Sequence, residues 1–79
     1  MNIQLIQGQF SGKEAIDLLT ELIHVKVKFH ERLISREDNE EDIKMREKRI
    51  KILQKDLFEA RRYIEQKGGT ININATVDI

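Results

Sequence analysis

The sequence predicts an α+β fold that is predominantly helical, with the element order β-α-α-β. The expected architecture is an antiparallel helical hairpin of coiled-coil character. Its N- and C-terminal strands pair antiparallel at one end, and the whole is oligomeric. Three observations carry this reading: a strand-like segment at each end of the chain, two long stretches of helical apolar spacing between them, and glycine or acidic polar punctuation at every junction.

The C-terminal segment, Thr70 to Ile79, gives the clearest signal. Ile71, Ile73, Ala75, Val77 and Ile79 alternate with Thr70, Asn72, Asn74, Thr76 and Asp78. A period of two marks a half-buried strand. At the other end, residues 2–7 read as a short strand with Ile3 and Leu5 on one face and Ile6 on the other, ended by Gly8 and Gly12. Ser11 followed by Glu14 has the spacing of a capping box and predicts a helix start just before Ala15.

The first helix is expected over 12–34. At 100° per residue its apolar side chains, from Val25 and Phe29 through Leu22, Leu19 and Ile23 to Val27, span about 200° of the wheel. One neighbouring helix covers about half of that. Ile16, Leu19, Ile23, Val27, His30 and Ile34 are therefore expected at an interface between subunits, together with Ile71, Ile73 and Val77 of the last strand.

Ser35 to Asp42 contains no apolar residue. A turn over 35–39 is expected, with Asn39 as N-cap and with acids where a helix N-terminus favours negative charge. The competing possibility is one unbroken helix from Gly12 to Lys67, since neither Gly nor Pro interrupts it. The second helix is expected over 40–67, with a narrow heptad seam of Ile43, Arg46, Ile50, Leu53, Leu57, Ala60 and Ile64. Met45, Ile52 and Tyr63 make a weaker second stripe. Gly68 and Gly69 stop the helix.

A hairpin brings the start of the first helix beside the end of the second, so the strands attached there can pair antiparallel. The second strand is the longer in this reading. Its surplus backbone groups and apolar face, like the wide arc of the first helix, call for a second subunit. A twofold dimer is the expected assembly, and a tetramer follows it.

Seventy-nine residues make a single domain, 1–79, and a small core. The chain has no cysteine, which rules out disulfides and thiolate zinc sites and accords with a reducing cytoplasm. Fourteen basic residues balance fourteen acidic ones, whereas a dedicated nucleic-acid or membrane binder is normally basic. No apolar run has the length of a membrane span, and no basic-then-apolar leader opens the chain.

No residue set points to catalysis, a metal or a cofactor. Glu21 and His24 have the Glu-x-x-His spacing of di-iron bundles, but both fall on the polar arc of the first helix, and the reading is a solvated face. His30 projects into the apolar arc near Lys26. A hydrogen-bonded core histidine is the expected role, and a pH-sensitive interface group is the alternative. Arg46 interrupts the seam, either setting register or lying at the wet end of the hairpin near Asp42 and Glu47. Lys44, Lys48, Lys51, Lys55 and Arg62 form a stripe opposite the seam. Between Lys44 and Arg62 there are eight basic and three acidic residues, a balance of +5. The stripe reads as the wet face of the helix, with a nucleic-acid contact as the second possibility. The expected function is thus non-enzymatic interaction with itself and an unidentified protein partner.

Overall fold

The computed structural model describes Met1–Ile79 throughout. Strand β1 (Asn2–Ser11), helix α1 (Gly12–Ile34), helix α2 (Glu40–Lys67) and strand β2 (Thr70–Asp78) follow in that order. The two strands form one antiparallel ribbon. The chain breaks between the helices, so the unbroken-helix alternative does not hold.

Each junction has a local cause. Ser11 is both the last residue of β1 and the N-cap of α1. Its hydroxyl accepts from Glu14 N at 3.1 Å, and its own N–H donates to Glu14 Oε1 at 3.0 Å. These two bonds complete the capping box, and the Ser11 backbone N–H, followed by its side chain, holds the Glu14 carboxyl below its ordinary pKa of 4.5. At the hairpin, Glu37 Oε1 accepts from Asp38 N and Asn39 N, and Asn39 Oδ1 accepts from Glu41 N at 2.9 Å. Side-chain acceptors thus take up backbone donors that a continuous helix would otherwise satisfy. At the other end, Gly68 has φ 68° and ψ −176°, a conformation essentially confined to glycine.

β1 differs from its expected extent. It continues four residues beyond Gln7, passing through Gly8 at φ 147° and ending only at Ser11. Glycine inside a strand marks a bend or a gap as readily as an end. The two strands are therefore nearly equal, ten and nine residues. The expected surplus of unpaired backbone on the second strand is absent, because pairing runs from Ser11↔Thr70 to Asn2↔Asp78. Two further bonds between Met1 and Ile79 close the ladder.

The ladder shifts register between Gln4 and Ile6, and Leu5 is the extra residue. A bulge changes the parity of the strand beyond it. Ile3 therefore joins Ile6 and Phe10 on one face, opposite Val77, Ala75 and Ile71. This corrects the expectation that Ile3 and Ile6 face opposite ways. The other face pairs Asn2 with Asp78, Gln4 with Thr76, Gln7 with Asn74, Gln9 with Asn72 and Ser11 with Thr70. It is wholly polar, and Gln4 Nε2 donates to Asn74 Oδ1 at 3.0 Å across it.

The helices pack along the seam of α2. Its seven residues, with Asp42, are the only parts of α2 that are not exposed. Only Ala15, in the first turn of α1, and Ile64, in the last turn of α2, are buried. The molecule measures 46 × 34 × 13 Å. At rises of about 1.5 Å per helical and 3.3 Å per strand residue, hairpin and ribbon laid end to end would reach roughly 70 Å. The ribbon therefore turns aside from the hairpin axis, and the whole stays one layer thick.

Candidate functional site

Two surface features stand out against this frame: an uncovered apolar face and a basic cleft between the helices. The arc of α1 is divided by α2. Ile16, Leu19, Ile23, Val27, His30 and Ile34 are half-buried, while Val25 and Phe29 on the far side of the arc are 66% and 49% exposed. The most open members of the arc are therefore Val25 and Phe29.

On α2 the stripe of Met45, Ile52 and Tyr63 stays exposed, Tyr63 at 66%. These three lie within about 20° of one another on the wheel, beside the seam. Tyr63, Ala60 and Ile64 border one hollow with Ile71 of β2, so the stripe meets the base of the ribbon's apolar face. Ile71 and Ile73 are half-buried, whereas Val77 and Ile3 are exposed and nothing in the chain covers the outer half of that face. Opposite Ile73 sits Gly8, where a side chain would meet nothing within 4 Å. The apolar face therefore has a notch.

The cleft lies in the half of the hairpin nearer its turn. Lys26 and His30 of α1 and Met45, Arg46, Arg49, Ile52, Leu53 and Asp56 of α2 line it. Arg46 Nη1 stands 3.4 Å from His30 Nδ1, and the Phe29 ring meets the imidazole edge-on at 6.0 Å. Arg46 thus faces into the seam. Neither Asp42 nor Glu47 pairs with it, and its Nε is buried without a partner. The imidazole titrates below its ordinary 6.5, because partial burial disfavours the charged ring and Arg46, Lys26 and Arg49 repel it. A neutral ring accepting from the guanidinium fits that environment.

Lys44, Lys48, Lys51, Lys55 and Arg62 are all exposed, on the side of α2 away from the seam. Lys55 approaches Glu59 at 4.0 Å, and the Arg62 guanidinium lies 5.8 Å from the centre of the Phe58 ring. Glu21 and His24 are exposed, and no group of three His, Cys, Asp or Glu side chains comes together as a metal site would require. No helix is long and apolar enough to cross a membrane. No protein-family model, curated protein or solved structure matches the chain.

Proposed function

We propose that this chain is a non-enzymatic homo-oligomer that acts through protein–protein interaction, as a scaffold, adaptor or small regulator. A twofold dimer is its smallest form, and a tetramer is the next. One observation supports this above the others. The chain exposes 6411 Å², whereas a compact monomer of its mass, 9.3 kDa, exposes about 5,000 Å². The surplus is roughly 1,400 Å² per chain. Two chains hiding it would bury about 2,800 Å², within the range of obligate interfaces.

The surface that takes the partner copy carries Phe29, Met45, Ile52 and Tyr63 and continues onto the apolar ribbon face. A twofold axis lets one such face cover its own counterpart. Sedimentation equilibrium over a range of concentrations tests this. The expected result is an assembly that Met45→Glu with Tyr63→Glu weakens by placing uncompensated charge in the interface. A folded native monomer at micromolar concentration overturns it.

A second reading uses the exposed stripe of Lys44, Lys48, Lys51, Lys55 and Arg62 as a contact for a nucleic-acid backbone, supported by the local balance of +5. Retention on DNA or RNA that weakens steeply with salt, and that is lost when Lys48, Lys51 and Lys55 become glutamine, would favour it over the first.

A further inference from the structure

The interhelical cleft is electrostatically unfinished. Lys26, His30, Arg46 and Arg49 come from both helices and meet around one cleft of ≈ 380 Å³. The only acid among the lining residues is Asp56, and neither of the molecule's two ion pairs involves any of these residues. Arg46 Nε is a buried donor with no acceptor, the kind of group that native structures seldom leave unpaired. Its Nη1 meets only a neutral imidazole at 3.4 Å. Arginine offers a planar fork of donors that matches an oxyanion two atoms at a time. Arg49 and Lys26 are exposed at the mouth and free to close on such a group. Met45, Ile52 and Leu53 supply apolar wall, so the cleft also has room for the body that carries the anion.

We propose that this cleft is a binding site for an oxyanion, a phosphate or a carboxylate, held by Arg46 and Arg49 with Lys26 and with His30 in its protonated form. Binding and proton uptake are then linked. An anion between the arginines relieves the repulsion felt by the ring, and the ring becomes a further donor. The basic stripe on the outer side of α2 takes no part. The oxyanion is either free or a carboxylate of a second copy.

The test follows the His30 ring by NMR in the full chain, titrating inorganic phosphate against chloride at constant ionic strength. The expected result for a free anion is saturable binding that raises the His30 pKa. Arg49→Gln, a surface change that leaves the seam intact, should weaken it about tenfold, since a charge-assisted bond is lost. If a second copy supplies the carboxylate, phosphate leaves the assembled protein unchanged. His30 then shifts on dilution, and phosphate binds only the diluted chain. A His30 titration indifferent to both phosphate and protein concentration overturns the proposal. So does a phosphate response equal in the native protein and Arg49→Gln, which would place the anion outside this cleft. A chain that stays monomeric at micromolar concentration and still binds phosphate would sink the assembly reading and leave this one standing.

Discussion

Ile3 and Ile6 lie on the same face of the ribbon, although three residues of a regular strand would put them on opposite faces. Leu5, displaced from the ladder between Gln4 and Ile6, makes the difference. The bulge lets one apolar face run from Phe10 to Ile3 against Ile71 to Val77, with no polar residue in it. Removing Leu5 should therefore leave the faces intact, since Gln4↔Thr76 and Ile6↔Ala75 would become consecutive pairs. The expected melting temperature of the Leu5 deletion stays within a few degrees of native, roughly the shift of a sub-kilocalorie change in so small a domain. A collapse of the melting transition would show that the bulge itself is needed.

The two faces of the ribbon should respond differently to charge. Ile73→Asp puts a carboxylate on the apolar face opposite the Gly8 notch and is expected to lower both the melting temperature and the sedimentation mass. Asn74→Asp, one residue on, changes the polar face and should cost less than about 0.5 kcal/mol in urea unfolding. Equal effects from the two substitutions would contradict a one-sided ribbon.

Gly68→Ala isolates a backbone cost. A methyl group there meets no atom within 4 Å, so no clash contributes. The φ of 68° with an extended ψ remains, and holding a non-glycine residue in that region costs about 1–3 kcal/mol. Chemical denaturation should read a loss of this size, with the helical circular dichroism retained.

His30 makes stability pH-dependent in a known direction. In the unfolded chain it titrates near its ordinary 6.5, and in the folded chain lower. Above 6.5 the ring is neutral in both states and its contribution is complete. As pH falls from 6.5 towards the folded pKa, the unfolded chain takes up a proton that the folded chain refuses, and stability drops. Glu14, also lowered, acts only below 4.5. Urea midpoints at pH 7.5 and 5.5 in phosphate-free buffer should differ, and His30→Gln should narrow the difference.

Both helices were legible in the sequence because their cues are local. The seam of α2 has a spacing that no strand shares, and Ser11, Asn39 and Gly68 act within a turn of themselves. The alternation of β2 was equally plain. β1 was not, because Gly8 has the composition of a stop while standing inside the strand, and a bulge at Leu5 leaves no mark in residue type. Its parity is set by the partner strand some seventy residues away. The cleft was only half visible. Spacing put Arg46 in the seam and His30 on the apolar arc, but their meeting depends on how the hairpin aligns the helices. The exposure of Val25 and Phe29 likewise depends on which side of the arc α2 covers.

The ribbon joins the two ends of the sequence: Asn2 pairs with Asp78 and Ser11 with Thr70. Every one of its contacts must therefore close a loop made of the entire helical hairpin. Closing such a loop from an open chain is entropically slow, while the helices form through local contacts. A formed hairpin sets the ends of the strands side by side and removes most of that search. Folding should thus run in a fixed order, with helix docking first and strand zipping outward from Ser11 and Thr70. Substitutions in the seam, such as Leu53→Ala, should slow the folding rate. Those at the ribbon tip, such as Val77→Ala, should act almost entirely on the rate of unfolding.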